Sequence, residues 1–214
     1  MKKSLIRCVG LGIAVAAIGA APAEAKKTIP ATDTTTTSID TSSCTDPALS
    51  QPFLAWGDSN WYALAPGETA DNFTGGGWSL TGGAKIVTTT LKDGTTGAVL
   101  DLPRGSSATS PTICLTSDFP TVRTMVRNVS GSNGGSVGFS VSYAGTTSQN
   151  DPVQTGTFKT TGSSGVNGAW ALSDPANLDP STTPGWQLMQ ITLTANGPKE
   201  FQVYNLYNDP MQRS

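Results

Sequence analysis

The stretch Ser136-Val-Gly-Phe-Ser-Val-Ser-Tyr143 alternates small polar and large apolar side chains with a period of two. Val137, Phe139, Val141 and Tyr143 therefore share one face of an extended chain, and that period belongs to a β-strand, not to a helix. The same period recurs around it. Met189, Ile191 and Leu193 point one way while Gln190, Thr192 and Thr194 point the other, which predicts one core face and one solvent face. Further strands are expected over 85–91, 98–102, 112–116, 122–129, 156–161, 169–172, 186–194 and 200–207, with shorter pieces near 61–64 and 78–80. Asn133-Gly134 and Asn196-Gly197 each fall between two such runs, and these residues adopt the positive φ of a tight turn at little cost. Hairpins are thus expected over 122–143 and 186–207.

No window of a dozen residues after the N-terminal region carries a helical stripe, and most of the 24 Gly and 14 Pro interrupt it at short intervals. The expected fold class is all-β. Some eight to ten short strands are too many for one open twisted sheet of this length, which argues for a two-sheet antiparallel β-sandwich. A jelly-roll topology is preferred.

The N-terminus reads as a targeting segment. Lys2, Lys3 and Arg7 precede an apolar run over about 8–21, and Ala23-Glu-Ala25 is a small-residue cleavage site. The run is shorter than the roughly 20 residues that span a bilayer as a helix, so the expectation is a signal peptide over 1–25, cleaved after Ala25, and a secreted product without a membrane span. Residues 26–43 (KKTIPATDTTTTSIDTSS) hold almost no large apolar side chain and are expected to form a flexible Thr/Ser-rich linker. Residues 44–214 then make a single β-sandwich domain.

Losing Lys2, Lys3, Arg7 and Glu24 with the leader leaves ten bases against fourteen acids, a net charge of −4. That balance gives no footprint for a phosphate backbone, so nucleic acid is not an expected partner. Cys44 and Cys114 are the cysteines that remain. In an oxidising compartment they are expected to form a disulfide, closing a loop of about 70 residues and stabilising by roughly 4 kcal/mol.

Gly57-Asp58-Ser59 has the look of the nucleophile block of GDSL-type hydrolases. A serine hydroxyl needs a base, and this chain has no histidine. Lys85, Lys92, Lys159 and Lys199 show no Ser-x-x-Lys spacing. The stretch instead has the composition of a turn, and the protein is read as no enzyme. A carboxylate-dependent glycoside hydrolase is the catalytic alternative, with Asp58, Glu68, Asp71, Asp101 and Asp118 available but unpaired by spacing.

Phe53, Trp56, Trp61, Tyr62, Phe73 and Trp78 crowd into 26 residues. Such rings either plug the end of a core or form a sugar platform. In the second reading Trp56, Trp61 and Tyr62 stack on a ligand, and Asp58 and Asn60 exchange hydrogen bonds with its hydroxyls. Arg123 and Arg127 share a strand face with Met125, either solvated or paired with acids.

Asp71-Asn-Phe-Thr-Gly-Gly-Gly-Trp-Ser-Leu-Thr-Gly-Gly-Ala84 resembles the opening of galactose-binding-like jelly rolls, among them many carbohydrate-binding modules. The wider layout resembles a group of secreted actinobacterial proteins. Its matching features are Trp56-Gly-Asp-Ser59, Trp61-Tyr-Ala-Leu-Ala-Pro-Gly67, Ser106-Ser-Ala-Thr-Ser-Pro111, Val126-Arg127-Asn128 and Tyr207-Asn-Asp-Pro210. The resemblance implies a module that binds extracellular or cell-wall polysaccharide; the expected leader, the strand periodicity and the missing catalytic groups fit equally a structural or assembly protein of the envelope. Many such modules hold a structural Ca²⁺ through a glutamate and an aspartate. Here Thr74 and Asn205 stand in those places, so neither calcium nor any other metal or cofactor is expected.

Overall fold

The structure is a computed structural model that describes residues 39–130, 135–145, 154–158 and 168–209. The expected leader, residues 26–38 of the expected linker, and Asn133-Gly134 lie outside the described residues. Among the described residues sixteen strands follow in order: β1 (Leu49–Ser50), β2 (Tyr62–Leu64), β3 (Glu68–Thr69), β4 (Asn72–Phe73), β5 (Ser79–Thr81), β6 (Lys85–Thr90), β7 (Thr96–Leu102) and β8 (Ser107–Thr109), then β9 (Ile113–Leu115), β10 (Thr121–Asn128), β11 (Ser136–Tyr143), β12 (Gln154–Thr157), β13 (Ala171–Leu172), β14 (Ala176–Asn177), β15 (Gln187–Asn196) and β16 (Phe201–Asp209).

The strands form an eight-stranded sheet, a six-stranded sheet and the small β3·β4 ribbon. In the eight-stranded sheet β16 is central, with β10 on one side and β2 and β7 on the other. In the six-stranded sheet β15 lies between β11 and the short strands β8 and β9. Leu100, Val122, Val126, Val203 and Leu206 of the first sheet bury themselves against Ile113, Val137, Phe139, Ile191 and Leu193 of the second. This is the expected all-β sandwich, with the alternating face of Ser136–Tyr143 turned into its core.

The connectivity corrects the two expected hairpins. β10 and β11 do not pair with each other, nor do β15 and β16. Instead β10 pairs with β16 in one sheet and β11 with β15 in the other. The ribbon β10·β16 thus continues as β11·β15 after folding over the sandwich edge, and β6·β7 continues as β5·β8 in the same way. Two nested ribbons, each crossing between sheets, make a jelly-roll pattern. An Asn-Gly pair reports a sharp reversal but not whether the flanking strands stay in one plane. Both strands bury an apolar face, and crossing between sheets lets both faces reach the same core. Gly135 and Gly197 carry φ of 86° and 89°, and a Cβ on Gly197 would sit 2.9 Å from the Gly135 Cα. Glycine is needed there both for its backbone and for the close approach of the two crossings.

A second cluster lies on the outer face of the eight-stranded sheet: Phe53, Tyr62, Leu91, Val99, Met125, Trp170, Tyr204 and Tyr207. With cores on both sides, every residue of β16 is buried, whereas β15 alternates as expected. Asn205 makes the double burial work. Between the pairs Arg123↔Tyr207 and Met125↔Tyr204 the register shifts, and Asn205 takes φ of 55°. This bulge resets the alternation, so that Val203 and Leu206 face the inner core while Tyr204 and Tyr207 face the outer one. Two bonds with Asp71 hold the strained residue: its Nδ2 donates to Oδ1 at 2.7 Å, and its Oδ1 accepts from the Asp71 amide at 2.9 Å.

Candidate functional site

The pairing of β1 with β2, Leu49 opposite Ala63 and Ser50 opposite Tyr62, closes a loop over residues 51–61. Phe53 pins its middle. The ring is buried and meets Tyr62 and Tyr207 edge-on, with centroids 5.0 and 5.4 Å apart. A single 3-10 turn, Leu54–Trp56, follows and is closed by Gly57 at φ 81°. Across the base, the Gln51 Nε2 donates to the Ser59 carbonyl.

Asp58 is the polar anchor. Its Oδ1 accepts from the Asn60 amide at 3.0 Å, its Oδ2 accepts from the Tyr62 hydroxyl at 2.5 Å, and the same oxygen pairs with the Arg123 guanidinium. Arg123 in turn donates from Nε to the Ser173 carbonyl at 2.9 Å and lies over the Phe53 ring. Burial pushes the Tyr62 hydroxyl well above its ordinary value, and the bond to Asp58 pushes it further. Nearby Asp209 is also raised, first by burial and then by the Asp58 charge, against the bond from Thr121. The loop backbone is therefore held from both sides.

One of the expected ligand contacts is corrected by this arrangement. Tyr62 is 0% exposed, so it has no ring face to offer and packs as part of the outer core. The Asp58 carboxylate is engaged by Arg123, Tyr62 and Asn60, so it orients the loop. The turn at Gly57-Asp58-Ser59 is present as a turn. Asn60 is half-buried, its amide tied to Asp58. Trp56 and Trp61 are different: they are 42% and 53% exposed. Leu49 and Leu54 are exposed beside them in sequence. Nothing in the sequence pattern marks those two leucines as outward, because an apolar run such as Phe53-Leu-Ala-Trp56 reads as core.

Arg123 is paired with an acid, Asp58, whereas Arg127 is hydrogen-bonded to neutral groups. Arg127 donates from Nε and Nη2 to the Gln202 side-chain Oε1 and from Nη2 to the Thr89 hydroxyl, with its guanidinium 4.5 Å from the Trp170 centroid. The Gln202 amide passes the chain on to Asp101 at 2.8 Å. Burial pushes Glu200 up, as does its hydrogen bond with Asp101. Asp101 is buried beneath Lys85 and Gln202.

The disulfide Cys44–Cys114 is formed, with a Cα separation of 5.6 Å. At the places of the resembled calcium ligands, Thr74 donates to the Gly67 carbonyl and Asn205 serves the bulge. Among the described residues no group of three or more His, Cys, Asp or Glu side chains is arranged to hold a metal ion, and no helix is long and apolar enough to cross a membrane.

No protein-family model and no curated protein matches this chain. Solved structures do. The CBM22-1 xylan-binding domain from Paenibacillus barcinonensis Xyn10C is 13% identical, with 64% of this chain and 88% of that one covered, at a TM-score of 0.42. CsCBM6-3 from Clostridium stercorarium, solved with cellobiose, is 18% identical over 63% and 87%, at 0.40. The Agl-KA catalytic domain is 15% identical over 78% and 30%, at 0.41. At these values neither a ligand nor an activity passes from those proteins to this one.

Proposed function

We propose that this chain is a secreted, non-catalytic module that holds a neutral extracellular or cell-wall glycan against Trp56 and Trp61, with residues 1–25 as leader and 26–43 as tether. One observation carries the reading: two half-exposed indoles stand on a loop whose backbone is stapled by the Asp58, Arg123 and Tyr62 contacts. Leaving large rings in water is unfavourable unless something covers them. A pre-set loop lets a sugar's apolar face do so without an ordering cost. Residues 45–64 contain no lysine or arginine, and Arg123 is engaged by Asp58. A uronate or sulfate would find no cation on the loop, which favours a neutral chain.

Electrophoresis through gels containing soluble β-glucan, xylan or mannan tests this. Retardation by at least one polymer, abolished in both Trp56→Ala and Trp61→Ala, is the expected result. Retention that survives both substitutions overturns it. The exposed Leu49 and Leu54 support a second reading, an assembly protein of the envelope. It requires concentration-dependent growth in light scattering that Leu54→Ser removes.

A further inference from the structure

Four paired residues, Leu49, Ala63, Asn208 and Val122, lie side by side across the eight-stranded sheet. Directly opposed residues share a face, and Val122 belongs to the inter-sheet core. Asn208 thus stands where the core would continue with a leucine. It is more than nine-tenths buried, and its Oδ1 has no hydrogen-bond partner. Such an orphan costs about 1–3 kcal/mol, and it calls for an explanation.

A pocket of about 270 Å³ opens beside it. Its walls include Ala63, Pro66, Ile113 and Phe119, with hydroxyls from Thr45 and Thr112, and no charged side chain lines it. Drug-sized ligands occupy roughly 300–1,000 Å³, so this space suits a single ring. The disulfide gives it a fixed wall, because Cys114 lines the pocket and its bond to Cys44 holds Ser43, Thr45 and Pro47 there. Ala63 lies two residues after Trp61, so the pocket adjoins the aromatic loop along the chain.

The geometry points to a subsite for the terminal sugar of the glycan, its apolar ring face against Phe119 and Pro66 and a hydroxyl donating to the Asn208 Oδ1. This rests on the glycan reading of the loop and extends it. The module binds chain ends, with the following sugars passing over Trp61.

The test is an NMR titration of the isotope-labelled, disulfide-intact protein with cellohexaose and xylohexaose, and with glucose and xylose alone. The Asn208 side-chain amide is expected to shift with a hexasaccharide and with its monosaccharide. Asn208→Leu is expected to keep or raise Tm, since it removes a buried carbonyl oxygen that has no partner, while weakening hexasaccharide binding at least tenfold. Thr112→Trp fills the mouth from an exposed position and is expected to weaken it similarly. If hexasaccharide shifts map to Trp56 and Trp61 while Asn208→Leu binds within twofold of the parent, the subsite is overturned and the loop reading stands. If Asn208 shifts with monosaccharide while Trp61→Ala changes nothing, the subsite stands and the loop reading falls. No shift at Asn208 with any of the four sugars overturns the subsite.

Discussion

The two cores on either side of β16 are made of different materials. The inner one is largely aliphatic, with Leu100, Leu102, Val122, Val141, Ile191 and Leu193 packed between sheets. The outer one is largely aromatic and is topped by two arginines, Arg123 over Phe53 and Arg127 over Trp170. An aliphatic core needs only shape. The aromatic one also needs polar partners, since Tyr62, Tyr204 and Trp170 each carry a group that must find one: Tyr62 bonds Asp58, the Tyr204 hydroxyl accepts from the Lys92 amide, and Trp170 Nε1 donates to the Thr90 carbonyl. The inner core holds the molecule together, and the outer one aims a loop.

The largest effect should come from the inner side. Leu193→Ala removes a fully buried side chain at the centre of the sandwich and should cost about 2–5 kcal/mol in urea unfolding. A smaller loss would mean that the two sheets are less interdependent than their shared core implies. Arg123→Ala breaks an ion pair whose side chains are only 15% and 13% exposed. The expected cost is about 2 kcal/mol, below the roughly 3–5 of a fully buried pair. It should also weaken glycan binding several-fold without a ligand contact, and Arg123→Ala/Asp58→Asn should recover part of the stability, as a double-mutant cycle would read.

A pH dependence sharpens the contrast further. Glu68 accepts from the Leu206 amide beside the bulge, and burial pushes its carboxyl from 4.5 to about 8. Folded protein therefore binds a proton that the unfolded chain has released, so this contribution is full below about pH 4.5 and is lost as pH rises through about 8. Asp209 and Glu200, both raised, act with the same sign. Tm should fall between pH 5 and 8, and Glu68→Gln should flatten that fall in a calorimetric series. The smallest stability effect belongs to Trp56→Ala and Trp61→Ala, expected within about 0.5 kcal/mol. A larger loss would place those rings in the outer core and not in a binding loop.

The sequence alone was enough for the all-β class, for the inward face of Ser136–Tyr143 and for the Cys44–Cys114 bond, because a two-residue period and two cysteines beyond the N-terminal region can be read without the fold. It also shows that Ser59 has no histidine anywhere in the chain to serve as its base. The ribbon crossings, the bulge at Asn205, the burial of Tyr62, the capture of Asp58 by Arg123 and the orphaned Oδ1 of Asn208 were decided only in three dimensions. Each depends on partners dozens of residues away, and periodicity tells which side chains share a face but not what that face meets. Trp56 and Tyr62 look alike as aromatics in one tract. Only the sheet behind them turns one into water and the other into the core.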